Sequence, residues 1–161
     1  MHSPVRTHSE NETRAFAASF ARDLHRGDVV ALTGELGSGK TQFVKGVCET
    51  FGVQELVTSP TFVILNRYAG RDARGEELLL YHLDLYRVRS LQEVYDIGFE
   101  ELLYGNSIAL IEWAGFLGDL LPARRFDVRL SLGKTENERK IEVFLQAGPH
   151  SRQAIREHER A

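Results

Sequence analysis

The eight residues Gly34-Glu35-Leu36-Gly37-Ser38-Gly39-Lys40-Thr41 constrain this chain more than any other stretch. Gly34, Gly39, Lys40 and Thr41 occupy the four fixed positions of the pattern Gly-x-x-x-x-Gly-Lys-Ser/Thr, which carries weight only where a strand enters it and a helix leaves it. Both neighbours are legible. Val29-Val30-Ala31-Leu32 is a short apolar run rich in β-branched residues, of the kind found in a strand covered on both faces. After the loop, Phe43, Val47 and Phe51, with Val44 and Cys48 beside them, spell an amphipathic helix that Gly52 can stop.

The chemistry of such a loop follows from its residue types. Glycines at 34, 37 and 39 permit torsions that a Cβ would forbid, so successive N–H groups can turn inward around anionic oxygens. The helix starting near Lys40 points its positive dipole end and unpaired N–H groups at the same spot. Lys40 can reach β- and γ-phosphates, and the Thr41 hydroxyl can ligate Mg²⁺. Glu35, Leu36, Gly37, Ser38, Gly39, Lys40, Thr41 and Gln42 are therefore the expected nucleotide-binding set. The bland alternative is a Gly-rich turn that happens to contain Lys-Thr, and the strand-loop-helix context argues against it.

The rest of the chain supplies an α/β domain around this motif. At 161 residues it fits one domain, able to bury about 68 to 70% of its unfolded surface without disulfides or a structural metal. Ser9-Glu10-Asn11-Glu12 has the helix-opening Ser-x-x-Glu pattern, and Phe16, Phe20 and Leu24 follow at four-residue spacing, predicting a helix that ends near Gly27. Phe62 to Tyr68 and Leu78 to Tyr86 read as two strands of a hairpin turning through Ala69 to Glu77. Ser90-Leu91-Gln92-Glu93 opens a short helix, Phe99 to Tyr104 forms another after Gly98, and Ser107 to Trp113 reads as strand. Phe126 to Leu132 and Ile141 to Leu145 alternate apolar and polar residues around the turn Gly133 to Glu138, as a half-exposed antiparallel pair does. The expected fold is P-loop NTPase-like, a mixed and mostly parallel central sheet flanked by helices, with antiparallel hairpins. Residues 1–148 form the single domain, and Pro149 to Ala161, rich in Arg, Glu and His, is a polar tail.

Charge and cysteine usage narrow the setting. A net charge of -3 gives the molecule as a whole no attraction to nucleic-acid phosphates or anionic lipid. The single Cys48 reads as core and suits a reducing cytoplasm. The polar start, Met1 to Asn11, has no signal-peptide character, and no run reaches the roughly 18 apolar residues of a membrane span, so a cytoplasmic location is expected.

Phosphoryl chemistry needs an acidic group near the metal and a group that orients the nucleophile, and in α/β sheets such groups sit at carboxyl ends of strands. Ile108-Ala109-Leu110-Ile111 is an apolar strand ending in Glu112, which can hold Mg²⁺ or polarise water. Asp84 closes Leu78 to Leu83, and period-two alternation puts His82, Asp84 and Tyr86 on one face. Asp84 is thus a candidate catalytic group, or the cap of a turn. His82 by itself reads as a satisfied partner at the sheet edge. Ser59-Pro60-Thr61 enters a strand from a loop, and Thr61 can complete a metal shell with Thr41 and Glu112, or the segment is a Pro-rigidified turn. Trp113, if still in strand, points to the face opposite Glu112, as a core anchor or a site residue. Arg67 and Arg87 read as solvated.

With the loop at 34 to 41, Ser59-Pro60-Thr61, Tyr81-His82-Leu83-Asp84-Leu85-Tyr86-Arg87 and Ile111-Glu112-Trp113 in this order, the chain resembles the TsaE (YjeE) family over roughly residues 9 to 145. Ala114 stands where a proline often follows Glu-Trp in that family. The resemblance implies a bacterial ATPase required for threonylcarbamoyladenosine modification of tRNA. It implies ATP and Mg²⁺ as cofactors, and hydrolysis that resets a complex of TsaD and TsaB, with tRNA contacted indirectly or weakly. It further implies catalytic roles for Lys40, Asp84 and Glu112 and metal contacts from Thr41 and Glu112. The residues alone leave open a small-metabolite kinase or a non-catalytic ATP switch. No Asn-Lys-x-Asp segment points to guanine.

Overall fold

Ser9 opens the first helix as its Ser-x-x-Glu pattern predicts: its backbone is extended, and its hydroxyl accepts the Glu12 N–H at 3.1 Å. In return the Glu12 carboxylate accepts the N–H of His8. The structure, a computed structural model, describes residues 3–147, and the expected tail from Pro149 to Ala161 lies outside them. Along the chain come strand β1 (Val5–Thr7), helix α1 (Glu10–Ala21), β2 (Val29–Thr33), α2 (Lys40–Thr50), β3 (Leu65–Arg71), β4 (Glu77–Asp84), α3 (Leu91–Asp96), α4 (Phe99–Tyr104), β5 (Ile108–Glu112), a 3₁₀ segment (Ala114–Leu120), β6 (Arg125–Leu132) and β7 (Arg139–Gln146).

The strands form one sheet in the order β1-β7-β6-β2-β5-β4-β3. Its centre, β6-β2-β5-β4, is parallel, and antiparallel partners flank it: β3 beside β4 at one end, β7 and then β1 beside β6 at the other. This is the mixed α/β sheet with hairpins expected above. Strand β1 had no sequence signal; three residues gain regularity only by pairing Val5 with Ile141 of β7.

Apolar runs in β2 and β5 are explained by cover on both faces. Val30 and Leu32 of β2 and Ile108 and Leu110 of β5 join the cluster beneath α1 and α2, with Phe43, Val47 and Cys48. Val29, Ala31, Ala109 and Ile111 face the other way, into the layer of α3, α4 and the 3₁₀ segment, with Val94, Phe99 and Leu103. Burial pushes the Cys48 thiol up to about 12, so it is an inert core side chain, as expected.

Helices α1 and α2 meet closely at Gly46, where an added Cβ would stand 2.3 Å from the Arg14 carbonyl oxygen and 2.7 Å from Ala17 Cβ. Gly46→Ala is expected to destabilise the fold by about 1 to 3 kcal/mol, the usual cost of overpacking, against the slight gain Ala brings to a helix. A denaturant midpoint equal to the wild type would contradict this contact.

Two boundaries and one cap differ from the sequence reading, each for a local reason. Helix α1 stops at Ala21 instead of near Gly27, because the last turn tightens into bonds from Arg22, Asp23 and Leu24 N–H to the carbonyls three residues back, and Asp28 then captures the His25 N–H at 2.7 Å. Leu24 is still buried, but from this turn. Strand β3 begins at Leu65, not Phe62, since the Pro60 carbonyl accepts the N–H groups of both Val63 and Ile64 and closes a turn. Phe62 and Val63 are left exposed, and Ile64 carries a positive φ of 69°. Ser90 stands at the start of α3, but its hydroxyl accepts no helix N–H; only the Glu93 half of the pattern forms, on Arg89 N–H at 3.3 Å.

Candidate functional site

The expected site residues converge where β2, β5 and β4 end side by side. Leu32 of β2 lies opposite Glu112 of β5, and Glu112 lies opposite Asp84 of β4. The Gly-rich loop therefore leaves its strand next to both acids. Glycines 34, 37 and 39 all have positive φ, and a Cβ on Gly34 would meet the Leu130 carbonyl oxygen at 2.4 Å and Ser38 Oγ at 2.5 Å. Helix α2 begins at Lys40 behind Gly39, and among the described residues no side chain caps its first N–H groups. Leu36 lies exposed on the loop, and Gln42 sits in the first turn of α2 with Oε1 buried and unpartnered among the described residues.

Lys40 folds back over this loop. Its Nζ donates to the carbonyls of Gly34 at 2.7 Å and Glu35 at 3.0 Å, lies 3.4 Å from Ser38 Oγ, and sits 4.1 Å from the centroid of the Trp113 ring. Burial holds its pKa below the ordinary lysine value, and the nearby negative charges of Glu112, Asp84 and Glu35 oppose that shift.

Glu112 is buried and faces α2. The Thr41 hydroxyl donates to its two oxygens at 3.0 and 3.1 Å, and His82 Nε2 meets Oε2 at 2.5 Å. His82 is thus neither at the sheet edge nor a bystander: β4 lies between β3 and β5, and the imidazole is fully buried against a site carboxylate. Trp113 combines its two readings. The strand ends at Glu112, Trp113 turns left-handed with φ 57°, and its ring, while still packed against the core cluster of Ala109 and Ile111, also lies 4.9 Å from Tyr86 and under Lys40.

Asp84 is held by three donors. Ser59 and Thr61 hydroxyls give to Oδ2 at 2.7 and 2.9 Å, and the Tyr86 N–H gives to Oδ1 at 3.0 Å. The turn-capping geometry is present, and it also ties the segment 59–61 to the site. Thr61 accordingly bonds Asp84 and not the Thr41–Glu112 pair with which it was grouped as a metal contact. Arg87 stacks on the exposed Phe62 ring at 4.5 Å. Arg139 of β7 donates to the Gly37 carbonyl at 3.2 Å, a support for the loop that no local pattern announces, since 102 residues separate the two.

The donor set suits a triphosphate with Mg²⁺. Thr41 and Glu112 offer hard oxygen ligands within hydrogen-bond distance of each other, the type Mg²⁺ prefers, and Lys40 and the uncapped α2 terminus offer the positive partners for phosphate. A cavity of about 460 Å³ lined by Gly34, Glu35, Leu85, Tyr86, Trp113 and Phe116 opens against the loop. A larger one, about 820 Å³, lies at the far end of the sheet among Arg22, Arg26, Phe51 and Arg74 and contains none of these groups. Size therefore does not identify the site; convergence of the chemistry does.

Comparison with known proteins places this geometry among relatives. The profile of the family described as "Threonylcarbamoyl adenosine biosynthesis protein TsaE" matches residues 7–141. The chain is 42% identical over 124 residues to the tRNA threonylcarbamoyladenosine biosynthesis protein TsaE of Treponema pallidum (strain Nichols), covering 77% of this chain and 86% of that protein. It is 38% identical over 143 residues to the protein of the same name from Bacillus subtilis (strain 168), covering 89% and 85%. The crystal structure of Bacillus subtilis YdiB superposes with a TM-score of 0.72 at 32% identity, covering 98% of this chain and 94% of that one.

Proposed function

Because the chain belongs to the TsaE family of threonylcarbamoyladenosine biosynthesis proteins, we propose that it binds ATP with Mg²⁺ and hydrolyses it in the cytoplasm. We further propose that the free energy released drives or resets a complex of TsaB and TsaD, with tRNA contacted through that complex. The observation that carries the reading is the convergence of Lys40, Thr41, Glu112 and Asp84 at the carboxyl ends of three adjacent parallel strands.

Each residue has a task in that reading. The N–H groups of residues 35 to 42 would cradle the phosphates, and Lys40 would exchange its carbonyl partners for phosphate oxygens, which are charged and therefore stronger acceptors. Thr41 and Glu112 would hold Mg²⁺, which when bound neutralises phosphate charge. Asp84 would orient the attacking water and receive its proton, its position fixed by Ser59, Thr61 and the Tyr86 N–H. The exposed rims of Tyr86 and Phe116 leave the cavity open to solvent. Such a site is expected to turn over slowly until a partner covers it.

The test is reconstitution. Purified chain with ATP and Mg²⁺ is expected to release phosphate slowly, to associate with TsaB and TsaD only when nucleotide is present, and to hydrolyse faster in their company. Absence of nucleotide-dependent association would sink the partner assignment. Transfer of phosphate to a metabolite faster than to water would replace the ATPase by a kinase.

A further inference from the structure

Glu112 is gripped from two sides, and only one grip comes from the phosphate loop. Thr41 donates to it from the start of α2, while His82 meets Oε2 from within the sheet at 2.5 Å. The strand register makes the second contact possible: His82 lies opposite Leu110, so Glu112, two residues on, is its diagonal neighbour on the same face.

This histidine is expensive as a core residue. It is fully buried, its other nitrogen, Nδ1, has no partner among the described residues, and the nearest aromatic ring, Tyr68, lies 6.5 Å away between centroids. An apolar side chain of similar volume would avoid the orphaned atom. A carboxylate only accepts, so the shared hydrogen sits on Nε2, and the whole polar capacity satisfied at His82 is spent on one oxygen of Glu112.

We propose that His82 is a positioning residue: its Nε2–H fixes Oε2 of Glu112, so that the carboxylate is held facing Thr41 before any cation arrives. The inference rests on the reading of Thr41 and Glu112 as the Mg²⁺ contacts. Hydrogen-bond partners of metal-ligating carboxylates commonly contribute 10- to 100-fold to metal affinity, and a disengaged Glu112 would have to be reoriented at each binding event.

The test is Mg²⁺-dependent binding of a fluorescent ATP analogue to the full chain, titrated with Mg²⁺ and repeated in EDTA. His82→Leu is expected to raise the Mg²⁺ concentration at half-effect about tenfold to a hundredfold, with affinity in EDTA unchanged. His82→Gln, whose amide nitrogen lies near the position of Nε2, is expected to recover most of the loss, and His82→Leu added to Glu112→Gln is expected to cost nothing more. An unchanged midpoint in His82→Leu overturns the proposal. Should that variant fail to fold, His82→Gln and His82→Asn decide, because the shorter Asn does not reach Glu112: equal midpoints in the two overturn it. A wild-type chain with no Mg²⁺ dependence overturns the site reading and this inference with it, which separates the two failures.

Discussion

Lys40→Met is expected to weaken Mg-ATP binding by roughly tenfold to more than a hundredfold while the folded chain melts no lower than the wild type by more than a few degrees. The first half follows from the loss of a charge-assisted hydrogen bond to phosphate, about 1.5 to 3 kcal/mol. The second follows from burial, which holds the Lys40 pKa below its ordinary value and so marks the charged form as disfavoured in the fold without nucleotide. Between the lowered folded pKa and the ordinary 10.5 the unfolded chain binds more protons, so this group's contribution to stability rises with pH across that window. Any stability advantage of Lys40→Met should therefore shrink as pH climbs toward 10.5. Bonds to the Gly34 and Glu35 carbonyls offset part of the penalty. Isothermal titration of Mg-ATP and thermal melts at two pH values separate the halves. Unchanged affinity would sink the assignment of the loop, and a collapsed melt would make Lys40 a structural staple.

The parts of the molecule legible in its sequence are those fixed by short-range chemistry. The loop Gly34 to Thr41, its strand and its helix were readable because glycine torsions, β-branched burial and helical spacing act within a few residues. So was the parallel centre of the sheet, since Val29 to Leu32 and Ile108 to Ile111 are apolar on both faces and need cover on both. What sequence did not yield was contact between distant segments. His82 read as a satisfied residue at a sheet edge because alternation assigns a face and says nothing of which strand lies beside it; β5, 30 residues on, supplies Glu112. Trp113 could not be settled between core anchor and site residue because extended geometry fixes one face only, whereas its left-handed turn lets the ring pack on the core and also lie under Lys40. Phe62 and Val63 misled for the opposite reason: apolar character suggested strand, and the Pro60 turn leaves them in solvent.

Glu112 and Asp84 lie opposite each other across β5 and β4, yet their partners differ, and so should their variants. Glu112 touches the loop helix through Thr41 and the sheet through His82. Asp84 touches the segment 59–61 and its own turn through Ser59, Thr61 and the Tyr86 N–H. Glu112→Gln keeps size and one acceptor oxygen, so it is expected to stay folded and to lose hydrolysis by about 10²- to 10⁴-fold, the range of a positioned proton-transfer or charge-stabilising group. Asp84→Ala removes the acceptor of three donors and is expected to cost about 1 to 3 kcal/mol of stability as well as turnover, although Ser59 and Thr61 can still bond each other, at 2.7 Å. Asp84→Asn separates the two contributions. It retains an acceptor for the turn, so most of the stability should return, but it carries no charge and cannot take a proton, so turnover should not. Phosphate release measured beside denaturant midpoints for both Asp84 variants reads this directly: turnover that recovers together with stability in Asp84→Asn would leave Asp84 as the cap of its turn and move the water-orienting role to Glu112.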